Sequence, residues 1–279
     1  MLRGFYTAAS GMIAQQRKTE MLTNNLSNAD TPGFKTDQSS LRSFPDMLLE
    51  RIDRNAVPAE NGLSLPVSST VGNLSTGIYM QEATPLFSQG DTKETQRNTD
   101  VALVDGDMPV NAANGKKGSI FFTVENADGQ SRYTRNGNFA LDGQGYLTTS
   151  AGDYVLDDNK KRIKLNSENF TVSDTGYIEE NSQPVARLGI SFSDNPYQLV
   201  KEGDGLFKAP AGTVLNSAYT SPNVNFTMKQ GFIESSNVDQ SRTMTDMMSA
   251  YRSFEANQKI LQAYDRSMDK AVNEVGKLG

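Results

Sequence analysis

The side chains of this chain that could carry chemistry are carboxylates, hydroxyls and lysines, because it contains no histidine and no cysteine. Without Cys there is no disulfide, thiolate metal site or cysteine nucleophile. Without His the commonest general base and the usual zinc ligand are missing. Two acidic groupings remain, Asp105-Gly106-Asp107 and Asp157-Asp158-Asn159. Neither continues with the ligand spacing of an EF-hand calcium loop, so both read as solvated turns. Asp128-Gly129 and Asp142-Gly143 read the same way. A hydrolase would need a close pair of carboxylates in a cleft, and no motif announces one. The expectation is a protein with no catalytic residue, cofactor or metal, which works through its surfaces.

The surface pattern that most needs a partner lies at the C-terminus. Met247, Phe254, Leu261, Met268 and Val275 recur every seven residues, and Ala250, Asn257, Tyr264, Ala271 and Leu278 form a second row. This is the seam of a coiled-coil-like helix. A helix over 243–277 would be roughly 50 Å long at the usual rise per residue. A helix apolar on one side gains most of its stability by burying that side. The matching apolar positions are at the other end of the chain: Leu2, Phe5, Ala9, Met12, Leu22 and Leu26. The two termini are therefore expected to pack on each other or on other copies. Seven of the eleven methionines lie in these terminal segments, where flexible side chains tolerate varied neighbours.

The elements that position these stripes follow from punctuation. A helix over 3–27 ends in Asn28-Ala29-Asp30-Thr31-Pro32-Gly33, and Thr31-Pro32-Gly33-Phe34 suits a type II turn. Residues 41–52 predict a short helix and 53–77 an extended linker rich in Ser and Thr. From about residue 80 to Phe226, short β-prone runs alternate with Gly turns. Ser119–Val124 and Arg132–Arg135 predict a hairpin across Asn126-Ala127-Asp128-Gly129. Asn138–Leu147 and Asn169–Ile178 match at a spacing of 31 and predict two similar hairpins. The last helix could be capped by Thr243 with Asp246, by Ser241 or by Asp239. The fold expected is α+β. N- and C-terminal helices pack as a coiled-coil-like layer, with an antiparallel β-domain inserted between them. Its segments are 1–35, 36–79, 80–228 and 229–279. The strands carry their own turns, so a fragment of 36–235 is expected to fold alone.

Apolar content is 36% and mean hydropathy −0.54, on the polar side for 279 residues. That suggests an elongated molecule or one that completes its burial on assembly. No run is apolar enough to span a membrane, and no secretory signal is evident. The net charge is −6, while the two ends are basic or balanced, so the negative excess falls on the middle. An acidic middle argues against nucleic acid, which needs a basic face.

The most specific stretch is Asn24-Asn25-Leu26-Ser27-Asn28-Ala29-Asp30-Thr31-Pro32-Gly33-Phe34-Lys35. With Leu2-x-Gly4 and Ser10-Gly11-Met12, it resembles the signature of bacterial flagellar rod and hook proteins. Gly231-Phe232-Ile233-Glu234-Ser235-Ser236-Asn237-Val238-Asp239 is similar to the family's approach to its C-terminal helix. Met247-Met248, Tyr251-Arg252 and Phe254-Glu255-Ala256-Asn257 match that helix in type and order. Residues 131–139 extend the likeness into the middle. Asp105-Gly106-Asp107 stands where many members carry Gly-x-Gly-Phe-Phe, and Phe121-Phe122 comes later. The family motif thus rests on Asn24, Asn25, Asn28, Thr31, Gly33, Phe34, Ser236, Asn237, Val238, Asp239, Glu255 and Asn257.

The resemblance implies a distal-rod or hook-basal-body subunit that polymerises into a hollow, torque-transmitting shaft. Its partners would be itself, other rod and hook proteins, and the flagellar type III export apparatus. It would sit in the basal body, beyond the cytoplasmic membrane but not inserted in one. The rival reading is an exported cell-wall glycan-binding protein oligomerised by its helices. Exposed aromatics among Tyr133, Phe139, Tyr146, Tyr154, Tyr177 and Tyr197 would favour it, but their strand positions predict core.

The two readings separate by substitution. Leu261→Asp is expected to abolish assembly and motility while the β-domain melts unchanged, because one such side chain buries about 1.5–3 kcal/mol. Asp142→Ala, in an exposed turn, is expected to be nearly silent. Swimming assays and calorimetry check both, and the opposite pattern would place the working surface in the β-domain loops.

Overall fold

In the computed structural model, residues 2–56, 64–112, 114–210 and 212–275 are described. The chain forms two compact units. A terminal unit comprises Met1–Asn24, Gln38–Ala83 and Ser241–Gly279; a β unit comprises Asn25–Asp37 and Thr84–Gln240. The fold is α+β, with a helix at each end and the strands between.

In the terminal unit, helix α1 (Leu2–Ser27, running to Asn24 within this unit) and helix α2 (Gln240–Lys270, entering at Ser241) lie antiparallel. Tyr264 packs against Gly4 and Asn257 against Gly11, and the hydroxyl of Thr23 reaches the Met247 sulfur at 3.8 Å. A side chain at Gly11 would have its Cβ 2.9 Å from the Asn257 amide nitrogen, closer than van der Waals contact allows. Within this unit the buried positions of α1 are Ala8, Gly11, Ala14 and Leu22. Of the large residues predicted to form the seam, Leu22 is buried, whereas Phe5 and Met12 are half-buried. Small residues take the other buried positions because they let the helix backbones approach. The α2 rows behave as predicted in position: Ala250 is buried, and Met247, Phe254, Asn257, Leu261, Tyr264, Met268 and Ala271 are its half-buried face.

The helix predicted over 41–52 is absent. Leu41–Ser43 pairs with Ile78–Met80, and Met47–Ala56 pairs with Ser64–Leu74. Pro45 removes the amide a helix would use. The facing segment supplies Val67, Thr70 and Val71, whose branched side chains suit a strand. The linker predicted over 53–77 is therefore half of a long hairpin, with residues 57–63 outside the described set. The Ser10 hydroxyl accepts the Ile78 amide at 3.3 Å, and Phe44 stacks on Tyr79.

The β unit is built on Ser119–Glu125, which pairs with Ser131–Thr134, Ile190–Ser193 and Tyr154–Val155. The predicted hairpin forms with Tyr133 opposite Thr123. Side-chain alternation sends Ile120, Phe122 and Val124 into the main core. Phe121 points to a second cluster with Tyr133, Leu199 and Phe207. The repeated segments form two equivalent hairpins, Phe139–Leu141 with Leu147–Thr149 and Phe170–Val172 with Tyr177–Glu180. In the first, the Asp142 carboxylate accepts from the amides of Gln144 at 2.9 Å and Tyr146 at 2.7 Å. Ser173 does the same for Tyr177 at 3.0 Å. Asp142 therefore caps its turn, and its removal is not the silent change that the turn motif alone suggests.

Other boundaries shift. The strand expected to end at Phe226 begins there, since Phe226–Gln230 pairs with Val101–Asp105. Helix α2 starts at Gln240, which puts Asp239 before its first helical residue and Thr243 inside it. Its regular α-helix gives way at Ala271 to a wider π turn, Ala271–Val275, and the expected end at 277 lies outside the described residues.

The close approach at Gly11 yields a test. Gly11→Leu should part the two helices and destabilise the terminal unit by about 1–3 kcal/mol, the usual cost of overpacking. Amide exchange in 247–268 should accelerate while exchange in Ser119–Glu125 stays unchanged. Unaltered exchange in α2 would show that the helix pair does not depend on this contact.

Candidate functional site

Three of the motif segments converge in the β unit. The first follows α1. Thr31 and Asn28 bond through their side chains at 3.2 Å, and the Phe34 amide closes the turn on the Thr31 carbonyl at 3.2 Å. Gly33 has φ +69, a conformation that β-carbon-bearing residues rarely adopt. A Cβ there would stand 2.5 Å from the Arg135 carbonyl carbon and the Asn136 nitrogen. The Gly33 amide donates to the Glu234 carbonyl at 2.8 Å. The turn thus presses the N-terminal motif against both of the others.

That contact delivers Lys35 into the interior. Its ammonium donates to Glu234 Oε1 at 2.6 Å and to the Ser88 carbonyl at 2.8 Å. Arg135, at the end of Ser131–Thr134, donates from Nε to Glu234 Oε2 at 2.8 Å, from Nη1 to Asp105 at 2.8 Å, and to the Ile120 carbonyl at 3.0 Å. The Gly90 amide also donates to Glu234 Oε1, at 2.9 Å. The side chains of Lys35, Arg135 and Glu234 are at most 1% exposed. Two cations thus face two carboxylates, with Glu234 at the centre.

Burial and charge act against each other here. Burial pushes the Glu234 carboxyl up, but Arg135 and then Lys35 outweigh it and hold it below its ordinary 4.5. Burial lowers the Arg135 guanidinium, and Glu234 and Asp105 more than restore it. For Lys35, burial and then the nearby Arg135 charge prevail over Glu234, and its pKa falls below 10.5. Arg135 is therefore the main counter-ion of Glu234. A buried charge of this kind persists only when paired and hydrogen-bonded.

Around the cluster, Asn237 accepts the Thr36 amide at 2.7 Å and donates to the carbonyls of Leu86 and Ser88 at 2.8 and 3.1 Å. Asn25 exchanges hydrogen bonds with the backbone of Asp37 at 2.8 and 2.9 Å. Phe34 is buried under the Lys201 ammonium, 4.0 Å from its ring centre. Ser236 accepts the Val238 amide at 3.3 Å. Val238 is half-buried, Asn24 and Asp239 are exposed, Leu26 is half-buried, and Glu255 belongs to α2 of the terminal unit. The side chains of Leu2 and Val275 lie outside the described residues. Asp105, read from sequence as a turn residue, is an ion partner of Arg135. Asp157 and Asp158 accept from the Lys161 amide at 2.7 Å and the Ser217 hydroxyl at 2.8 Å.

The four residues of the cluster were quoted within motifs but not singled out by sequence reasoning. Each of the three motifs carries two charged residues, Asp30 and Lys35, Arg132 and Arg135, and Glu234 and Asp239, and spacing alone does not say which of them is buried. The aromatics also need correction. Tyr133 and Phe139 are core, whereas Tyr146, Tyr154 and Tyr197 are half-buried and Tyr177 is exposed. Each of these four carries a cation over its ring: Lys164, Arg162, Lys116 and Arg187 respectively.

The chain matches the flagellar basal body rod family over residues 5–35, the flagellar hook FlgE/F/G D1 domain over 117–180, and the flagellar basal body rod FlgEFG C-terminal family over 229–274. It is 44% identical to the flagellar hook-basal body complex protein FlhO of Bacillus subtilis over the whole of both chains. It is 31% identical to the flagellar basal-body rod protein FlgG of Borreliella burgdorferi, over 98% of each. The hook-basal body complex protein FlhP of Bacillus subtilis shares 26%, over 96% of this chain and 97% of that one. Each of the three matched segments supplies one residue of the buried cluster: Lys35, Arg135 and Glu234.

The cluster makes two outcomes testable. Glu234→Gln leaves the buried Lys35 without a carboxylate partner and Arg135 with Asp105 alone, and should cost about 3–5 kcal/mol in the β unit. Because the folded-state pKa of Glu234 is depressed, its contribution is complete above pH 4.5 and is lost as pH falls through the folded value. Acid titration should therefore show a weaker slope for the variant. A fragment of 36–235 lacks Lys35 and Asn237 and should melt without cooperativity, whereas 25–240 should melt as one transition. Cooperative melting of the shorter fragment would show the cluster to be dispensable.

Proposed function

The chain belongs to the flagellar basal-body rod protein family, and on that footing we propose that it is a distal-rod or hook-basal-body subunit that polymerises through its terminal helices into a hollow, torque-transmitting shaft. The family is one of structural flagellar components, and its members' place is the flagellar hook-basal body. The subtype is favoured by the near-complete overlap with proteins named FlgG and FlhO. The proposal extends to export beyond the cytoplasmic membrane by the flagellar type III apparatus, and to neighbours among the other rod and hook proteins.

One observation carries self-assembly. Among the described residues, exposed large apolar side chains gather in the terminal unit: Tyr6, Ile13, Met47, Leu48, Val71, Met244, Met248, Tyr251, Ile260 and Val272. The β unit, by contrast, closes most of its large apolar side chains into two cores, and its exposed ones are Val110, Tyr177, Val185, Val200 and Val214 among the described residues. A surface of this kind marks a site of protein association. Heterologous contacts that do not close into a ring generate a helical tube, and the coiled-coil-like layer of the two helices would form there. The glycan-binding alternative has less support. Tyr146 and Tyr154 meet edge to face at 83°, with cations over both, and so do not form a flat platform for a sugar ring.

Electron microscopy of the purified protein at rising concentration tests the proposal. Tubes or filaments are expected for wild type and none for Leu261→Asp, whose site is on the half-buried face of α2. Wild type that stays monomeric, or Leu261→Asp filaments indistinguishable from wild type, would contradict it.

A further inference from the structure

We propose that the terminal unit carries its own socket and plug: an apolar groove at the start of α1 receives a ridge on the first turns of α2 from a second copy of the chain. The inference rests on the assembly reading above and names the contact. The groove has a volume of about 310 Å³ and is lined by Arg3, Tyr6, Thr7, Met47, Leu48 and Leu74. It lies where the N-terminal turns of α1 meet the base of the long hairpin. Tyr6, Met47 and Leu48 are 64%, 59% and 57% exposed there. Uncovered, such a volume holds roughly ten waters, at about 30 Å³ each, against apolar walls.

The ridge is Met244, Met248 and Tyr251, spaced at i, i+4 and i+7 and therefore on one side of α2. Each is more than half exposed. The next member of the stripe is Glu255, and Arg252 borders it. Among the described residues lining the groove, Arg3 is the only charged one. Among the described residues neither Arg3 nor Glu255 has an ion partner in its own chain. The groove thus presents one unsatisfied cation beside apolar walls, and the ridge one unsatisfied carboxylate beyond apolar knobs.

The antiparallel helix contacts keep the two features apart within one chain. Gly4 lies against Tyr264, Gly11 against Asn257 and Thr23 against Met247. Met248 is therefore level with the second half of α1, roughly 14 residues from the groove, or about 20 Å at the helical rise. A groove and a ridge that match but cannot meet in one chain leave each copy with both a free donor and a free acceptor surface. Contacts of this type are heterologous and propagate.

The absence of cysteine allows a direct test with the full-length protein. A Leu48→Cys chain is mixed with a Met248→Cys chain and oxidised, and the disulfide-linked heterodimer is counted. A Val214→Cys chain, exposed in the β unit, replaces the Leu48→Cys partner as control. A disulfide needs Cα atoms within about 7 Å, so only a seated ridge links efficiently. The expected yield for the Leu48/Met248 mixture exceeds the control by at least tenfold, roughly the span of one 1.4 kcal/mol step. The Arg3→Glu change in the Leu48→Cys chain should lower that yield, and Glu255→Arg in its partner should restore it. If wild type polymerises but the mixture cross-links no better than the control, the socket is wrong and the assembly reading stands. If wild type does not self-associate, both fall together.

Discussion

The structure depends on keeping one carboxylate charged where water cannot reach it. Glu234 is 1% exposed, and its two oxygens are shared among Lys35, Arg135 and the Gly90 amide. None of these partners is near it in sequence. The cluster therefore forms only when the turn after α1, the end of the central hairpin and the strand before α2 are all in place. A misregistered chain would strand a charge in the interior at a cost of several kcal/mol. Apolar packing alone would accept small slips more readily, so the ionic cluster fixes which residues leave the β unit toward each helix.

The terminal unit follows the opposite rule. Its α1 approaches α2 closely at Gly4 and Gly11, and its buried positions are Gly11, Ala8, Ala14 and Leu22. Its other large side chains are half-buried or exposed. Most of the apolar surface that a helix pair would ordinarily hide is thereby available to neighbours. On the proposed assembly such a unit would gain stability from its neighbours, since binding to the folded state adds its free energy to folding.

Much of this was legible in the sequence. The seven-residue rows on α2 locate its half-buried face, and the repeat at a spacing of 31 locates two hairpins with the same turn hydrogen bonds. The approach to α2 is legible in Ser236-Asn237-Val238-Asp239, and the Asn237 side chain bonds two backbone segments, at Thr36 and at Leu86 and Ser88. Other features were hidden for physical reasons. The hairpin over 47–74 was missed because Leu41, Phe44, Leu48 and Ile52 also fit a helical period, and long-range pairing with Ser64–Leu74 decided between the two. On α1 the expected seam holds at Leu22, while Phe5 and Met12 are half-buried and the small Ala8, Gly11 and Ala14 take the other buried positions, because close approach selects small residues. Lys35, Arg135 and Glu234 are not legible as a cluster because a charge in a motif does not reveal a partner 99 or 199 residues away.

The central claim is that the terminal unit, and not the β unit, gains burial when copies assemble. Residue-resolved amide exchange of dilute protein against the polymer tests it most directly. Protection should rise across 2–24 and 241–275 on assembly, while Ser119–Glu125 and Val101–Asp105, already buried in one copy, should not change. Protection that rises mainly in the exposed strands of the β unit, with the helices unaffected, would contradict assembly through the terminal helices.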